Sequence, residues 1–246
     1  MCKKNLNIVF LSNCKNIVNG DNKSLPPVIT VDGPSASGKG TLCATLAKIL
    51  QWNFLDSGVI YRTINLLSQY HNIIDEKNLL SVIKNSNMSF KIQNNQTNVM
   101  LENKDISWEI RNHRVNNTIF HISSFPNIRK MLLNYQRRFR AFPGLIADGR
   151  DMGTVVFPDA KIKIFLDADI KKRAKRRFRQ LQKNNVNVTL SNVLYEIKKR
   201  DDYDRNRIIS PLVRATNSLV LDSTYLNEHE VVKEAMKYIN NIGNIF

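Results

Sequence analysis

Pro27-Val28-Ile29-Thr30-Val31-Asp32 runs directly into Gly33-Pro34-Ser35-Ala36-Ser37-Gly38-Lys39-Gly40-Thr41, and Leu42 to Leu50 follow as LCATLAKIL. This junction decides the fold. Val28 to Val31 is a short apolar run with the character of a buried strand, and Leu42, Leu46, Ile49 and Leu50 recur at near-helical spacing. Between strand and helix lies G-x-x-x-x-G-K, the phosphate-cradling P-loop. Its glycines let the backbone curl until successive N–H groups point inward at a phosphate chain. The positive end of the following helix adds to the attraction, and Lys39 brings a mobile charge to the outer phosphates. Residues 33 to 41 are therefore the candidate nucleotide-phosphate loop. Lys39 is expected to be exposed in it and to act on phosphate rather than on folding.

Working outward, apolar runs and helical patterns alternate, which argues for an α/β fold with a parallel sheet. Trp52 to Asp56, Leu145 to Asp148, Ile162 to Asp167 and Ser218 to Asp222 read as further strands, each closing on an aspartate. Ligand crevices of open α/β sheets lie at the carboxyl ends of strands, so Asp56 and Asp148 are expected near the P-loop. Each of the four aspartates is equally well read as the cap of the next helix. Met88 to Ile92 and Asn98 to Glu102 flank the turn-rich Gln93-Asn94-Asn95-Gln96-Thr97 and predict a β-hairpin inside a long insertion. Helical segments follow it to about Phe142. The stretch after Asp169 is strongly basic: Lys171-Lys172-Arg173-Ala174-Lys175-Arg176-Arg177-Phe178-Arg179. As a helix it puts Arg173, Arg176 and Arg177 on one face. Such a cluster suits charge on a transferring phosphoryl group; a solvated basic face or an RNA contact is the alternative.

The whole chain of 246 residues carries a net charge of +16. That balance fits either nucleic acid or small polyanionic substrates drawn to a positive cleft. Part of it follows from a composition crowded with Asn, Lys and Ile. No apolar run is long enough to span a bilayer. Cys2, Cys14 and Cys43 form no C-x-x-C pair, so a disulfide framework is not expected and a reducing cytoplasm fits. His71, His113, His121 and His229 share no metal-ligand spacing. Residues 1–26, which hold no signal-peptide pattern, read as a flexible or loosely docked extension ahead of one domain over 27–246.

Several strings now converge. Gly38-Lys39-Gly40-Thr41 places glycine where most P-loops have Ser or Thr, as nucleoside monophosphate kinases do, and Asn103-Lys104-Asp105-Ile106 misses the guanine-reading Asn-Lys-x-Asp pattern. Leu55-Asp56-Ser57-Gly58-Val59-Ile60-Tyr61-Arg62, Ala147-Asp148-Gly149-Arg150-Asp151-Met152-Gly153-Thr154, Arg200-Asp201-Asp202-Tyr203-Asp204-Arg205-Asn206-Arg207 and Ser210-Pro211-Leu212 complete the set. From about Pro27 to the C-terminal helix, the chain closely resembles the bacterial cytidylate kinases.

The resemblance implies a P-loop kinase: a central parallel sheet flanked by helices, a monophosphate-binding insert over about 82–125 carrying the small antiparallel hairpin, and a short basic lid over about 171–185. It implies transfer of the γ-phosphoryl of ATP, with Mg²⁺, to CMP or dCMP in pyrimidine nucleotide metabolism. The protein would be a cytoplasmic monomer with no nucleic-acid or membrane partner. Lys39, Arg150, Arg173, Arg176 and Arg177 would stabilise the transferring group, and Asp148 would stand behind the metal. Ser57, Arg62 and Arg150 match residues near the CMP phosphate. Asp151 and Arg129 match the pair that reads the cytosine edge, where a carboxylate accepts from the exocyclic amine and repels the uracil carbonyl. Arg200 and Asp204 match residues on the sugar hydroxyls, with Arg207 nearby. The family's serine near the base aligns with Phe120, a departure that puts one hydrogen bond in question. If Asp204 were instead an open helix-surface ion pair with Arg200 or Arg207, it would be worth about 0–1 kcal/mol and nothing in catalysis.

Overall fold

The computed structural model describes residues 7–9, 25–93, 96–111 and 119–242. In chain order its elements begin β1 (Asn7–Val9), β2 (Val28–Asp32), α1 (Lys39–Leu50), β3 (Asn53–Asp56), α2 (Ser57–Tyr70), α3 (Glu76–Asn85), β4 (Met88–Gln93), β5 (Gln96–Leu101) and β6 (Lys104–Asp105). They continue with α4 (Ser107–Arg111), α5 (Ile119–Ser123), α6 (Pro126–Arg137), β7 (Leu145–Gly149), β8 (Ile162–Asp167), α7 (Ile170–Lys183), α8 (Leu190–Asn206), β9 (Leu219–Asp222) and α9 (Glu228–Asn241). A π-helical turn covers Met152–Val156 between β7 and β8. Five strands form a sheet of order β3-β7-β2-β8-β9, and four form a second sheet of order β1-β4-β5-β6. The chain divides into two compact units: Met1–Pro27 with Trp52–Leu145, and Val28–Gln51 with Ile146–Phe246.

The second unit carries the P-loop. All five residues of β2 are buried, as an interior parallel strand with covered faces requires. It pairs in parallel with β8, from Ile29↔Ile162 to Asp32↔Phe165, and β8 pairs in parallel with β9. Gly33 leaves β2 at φ +150, where a Cβ would stand 2.1 Å from the Leu166 carbonyl oxygen, so only glycine fits the start of the loop. Leu42, Cys43, Leu46 and Ala47 bury one side of α1. Asp169 caps α7 by accepting from the Lys171 and Lys172 amides. Ala174 and Leu181 of α7 pack with Val193 and Ile197 of α8, and Ile170 and Phe178 close over them. That gives an otherwise very basic helix its apolar anchor. A capping box of Asn227 and Glu230 starts α9.

The first unit carries the inserted hairpin. Its strands run further into the turn than the turn-forming composition predicts, β4 and β5 pairing from Met88↔Leu101 to Gln93↔Gln96. The hairpin is also widened: β6 extends one edge, and β1 pairs antiparallel with β4 from Asn7↔Lys91 to Val9↔Ser89. Within residues 1–26, Asn7–Val9 is thus a sheet strand, while 1–6 and 10–24 lie outside the described residues. Val59, Ile60, Ile64, Leu66 and Leu67 bury α2. Tyr135 of α6 packs its ring against Phe90 and Phe139. Glu76 at the start of α3 accepts from the Asn127 and Ile128 amides, satisfying the open N-terminus of α6 that Pro126 leaves behind.

Candidate active site

The P-loop takes the shape its glycines permit. Ala36 at φ 59 and Gly38 at φ 101 both adopt left-handed backbone. Ser37 Oγ donates to the Pro34 carbonyl at 3.1 Å, bracing the curl from inside. Gly38 caps α1 with no side-chain hydrogen bond, and the first turn holds no acidic residue. The amides of that turn therefore face outward with the helix dipole behind them, the arrangement that receives an anion. Gly40 and Thr41 lie in this first turn, both exposed.

Lys39 departs from the expectation of an exposed loop residue. It is the first residue of α1 and only 5% exposed, with Nζ donating to the Pro34 carbonyl at 2.7 Å. Burial, then the charge of Arg150, lowers its pKa to about 8; Asp148 acts the other way. The Asp148 carboxylate stands 3.7 Å from where a Cβ on Gly40 would lie, so Asp148 does face the start of α1. The other strand-end aspartates take local roles. Asp56 caps α2 through the Val59 amide, Asp167 accepts from the Ala168 amide, and Asp222 accepts from the Thr224 amide.

The three lid arginines have three different settings. Arg173 is 4% exposed. Its guanidinium pairs with Asp201 at 2.5 Å and donates to the carbonyls of Ala168 at 2.8 Å and Ser35 at 3.1 Å. Asp201 also accepts from the Ser35 amide at 3.4 Å, so both peptide groups of that P-loop residue are clamped. Arg176 donates to Ser223 Oγ at 3.0 Å and to the Ser223 carbonyl. Ser223 Oγ in turn donates to the carbonyl of Ser37 at 2.9 Å. Arg177, half-buried, reaches Gln180 at 2.7 Å. Asp201 and Ser223 were not among the candidates from sequence. Asp201 lies inside a quoted string, but nothing in the string distinguishes it from Asp202.

Arg150, Arg200 and Arg207 converge on Asp204. Arg150 Nε donates to Asp204 Oδ2 at 2.8 Å, Arg207 stands 3.6 Å from Oδ1, and Arg200 stands 4.0 Å from Oδ2. The Asp204 side chain is 7% exposed and that of Arg207 5%. The ion-pair reading of Asp204 therefore holds in kind but not in place: the pairs are buried at the inner face of α8, not on a solvated helix surface. Burial works to raise the Asp204 carboxyl, and the charges of Arg150, Arg200 and Arg207 together outweigh it and hold it below the usual carboxylate range. Burial would lower Arg150, and Asp204 reverses this and raises it.

Asp151 follows Arg150 and is 5% exposed. The turn behind it is held by Asp32, which sequence reasoning passed over. Asp32 Oδ1 accepts from the Met152 amide and Oδ2 from the Gly153 amide, each at 2.8 Å. Burial pushes the Asp32 carboxyl up to about 7; the two amides and Lys39 oppose this, and Asp151 adds to it. A Cβ on Gly153 would meet Thr30 Oγ1 at 2.8 Å, so glycine allows the close approach.

In the first unit, Ser57 opens α2 and is 6% exposed. Arg62 of α2 pairs with Asp56 at 3.1 Å. Arg129 of α6 donates to the Ser123 carbonyl at 3.0 Å, and its guanidinium lies 5.5 Å from the Tyr61 ring centre. The side chain of Phe120 lies outside the described residues.

This geometry offers a phosphate cradle with a buried lysine beside a cluster of guanidiniums on one carboxylate. Comparison with known proteins gives it a lineage. The family model described as "Cytidylate kinase" matches residues 29–241. A cytidylate kinase of Sodalis glossinidius is 52% identical over 220 residues, covering 89% of this chain and 97% of that protein. One of Yersinia enterocolitica is 52% identical over 218 residues, 88% and 95% of the two chains. One of Proteus mirabilis is 50% identical over 220 residues, 89% and 98%. On its sequence motifs and these relatives, the chain belongs to the cytidylate kinase family.

Proposed function

We propose that the chain transfers the γ-phosphoryl group of ATP to CMP or dCMP, giving ADP and CDP or dCDP. The observation that carries this reading is the Asp204 cluster. Arg150, Arg200 and Arg207 converge on one buried carboxylate in the same unit as the P-loop, a set of donors suited to the phosphate and sugar of a nucleotide. An oxygen of the CMP phosphate attacks the γ-phosphorus. That oxygen is already anionic, so no general base is required. A bond forms from it to the γ-phosphorus as the bond to the β–γ bridging oxygen breaks, and ADP leaves with the electron pair. Catalysis then rests on alignment and on neutralising charge.

In this reading the P-loop amides and Lys39 hold the outer phosphates of ATP. Arg150, Arg176 and Arg177 act on the transferring group, and Arg173 serves it by fixing Ser35 of the P-loop. Arg200, Asp204 and Arg207 hold the sugar. Asp151 accepts from the cytosine amine. Ser57 and Arg62 act on the CMP phosphate and Arg129 on the base edge. Mg²⁺ fits the oxygens at the start of α1: the Thr41 hydroxyl would hold it, with Asp148 behind. Among the described residues no group of three or more His, Cys, Asp or Glu could hold a metal, which suits an ion bound mainly through substrate phosphates. When bound it would neutralise charge on the β and γ phosphates. The same reading has the protein working as a cytoplasmic monomer on small nucleotides, without nucleic-acid or membrane partners. No helix among the described residues is long and apolar enough to cross a membrane.

The test is base discrimination. Replacing the carboxylate in Asp151→Asn removes one charge-assisted hydrogen bond, worth about 1.5–3 kcal/mol. The ratio of kcat/KM for CMP over UMP is expected to fall on the order of tenfold or more. An unchanged ratio would remove Asp151 from the base site.

A further inference from the structure

Asp32 is the one buried carboxylate at the head of the P-loop strand that the mechanism above does not use. It ends β2 and is 3% exposed; its two oxygens are each taken by a backbone amide, Met152 on one and Gly153 on the other, at 2.8 Å. Those amides begin the π-helical turn Met152–Val156, in which the Val156 amide reaches back five residues to the Asp151 carbonyl at 3.1 Å and the Val155 amide reaches the same oxygen at 2.9 Å. A π-helical turn is rare, irregular backbone of the kind that recurs at functional sites. The end that Asp32 holds is the one directly after Arg150 and Asp151.

We propose that Asp32 is a positioning residue for the acceptor: by gripping the Met152 and Gly153 amides, its carboxylate sets where Arg150 and Asp151 stand for CMP. This rests on the assignment of Arg150 and Asp151 to the acceptor. Only the ionised carboxylate offers both oxygens as acceptors. Protonation turns one oxygen into a donor facing an N–H, and that half of the grip is lost. The charged groups facing Asp32 are Asp151, which disfavours its ionisation, and Lys39, which favours it. Lys39 itself answers chiefly to burial and then to Arg150, Asp148 and Arg200. The amides it grips follow directly on Arg150 and Asp151, so the larger effect of the grip falls on CMP. Because the Asp32 carboxyl is raised, its ionised form is lost as pH falls through about 7, close to where the second ionisation of a phosphate ester is lost, at about 6.

The experiment measures KM for CMP and for ATP, and the pH profile of kcat/KM for CMP, in the wild type, Asp32→Asn, Asp32→Glu and Asp151→Asn. kcat/KM reports ionisations of free enzyme and free substrate. In the wild type the logarithm of kcat/KM for CMP falls toward a slope of two below about pH 6, one proton from the substrate phosphate and one from Asp32. In Asp32→Asn the slope falls to one, and KM for CMP rises on the order of tenfold with KM for ATP within about twofold. Asp32→Glu keeps the second limb of the profile while its longer arm still raises KM for CMP. KM for CMP within about twofold of wild type in a folded Asp32→Asn would overturn the proposal, and where that variant does not fold, an unchanged KM for CMP in Asp32→Glu would do so. Equal rises in KM for CMP and ATP in a folded Asp32→Asn would also overturn it, since that is the signature of general damage. The base-reading assignment fails separately: an unchanged CMP/UMP ratio in Asp151→Asn, alongside a CMP-selective effect of Asp32→Asn, removes Asp151 and leaves Asp32 acting through Arg150.

Discussion

Replacing Asp204 by alanine separates a buried hub from a surface pair by stability as well as by kinetics. The carboxylate accepts from Arg150 at 2.8 Å, with Arg207 at 3.6 Å and Arg200 at 4.0 Å. Side-chain exposures are 7% for Asp204, 5% for Arg207, 18% for Arg150 and 23% for Arg200. Asp204→Ala leaves these guanidiniums facing one another with their shared counter-charge gone. Breaking a buried pair in this way costs about 3–5 kcal/mol, against about 0–1 for an exposed pair. In a chain of this size that is a fall in Tm of roughly 10 °C. The double variant Asp204→Leu with Arg150→Met replaces the tightest pair by apolar groups and should recover part of the loss, because a buried pair contributes little over a packed isostere. It should not recover KM for CMP, because the sugar and phosphate contacts are gone. The assay is thermal unfolding in parallel with coupled steady-state kinetics. A Tm within about 1 °C of wild type in Asp204→Ala would show the cluster to be solvent-screened. Normal CMP kinetics would withdraw Arg200 and Arg207 from the acceptor site as well. The pH sign follows from the depressed carboxyl of Asp204: its contribution is complete above the ordinary carboxylate range and is lost only as pH falls below that range.

Two further outcomes concern Lys39. Lys39→Ala should lower turnover on the order of 100-fold through lost charge stabilisation, with CMP binding retained in a titration calorimeter. With its pKa lowered to about 8, the ammonium is present below that pH and lost above it. The kcat/KM for ATP should therefore fall as pH rises past about 8, and the limb should move to higher pH in kcat, where bound phosphates favour the cation. A flat profile to pH 9 or above would contradict the burial of Lys39.

What the sequence makes legible is local. The P-loop announces itself because strand, glycines and helix fall in register over Val28 to Leu50, and each strand run is marked by β-branched and apolar residues ending at a polar one. The hairpin at 88–101 is legible for the same reason. Depth is what the sequence conceals. Lys39, Arg173 and Asp204 are charged residues in polar strings, and nothing along the chain says that α1, α7 and α8 turn them inward. Partners distant in sequence are hidden too: Asp201 reaches Ser35, Ser223 reaches Ser37, and Asp32 reaches Gly153. Asp32 did carry a signal, as a carboxylate closing an otherwise apolar buried strand, since such a group must find donors. The widening of the hairpin by residues 7–9 is not legible, because a short apolar run such as Ile8-Val9-Phe10-Leu11 does not name its strand partner.

The most direct test of the account is a coupled assay of the purified wild-type chain with ATP and Mg²⁺ against CMP, dCMP, UMP and AMP in turn. CMP and dCMP should turn over, with kcat/KM for UMP and AMP lower by on the order of 100-fold or more, as expected when a buried acceptor is left facing the wrong base edge. Comparable rates with UMP or AMP, or no phosphorylation of CMP and dCMP, would contradict it.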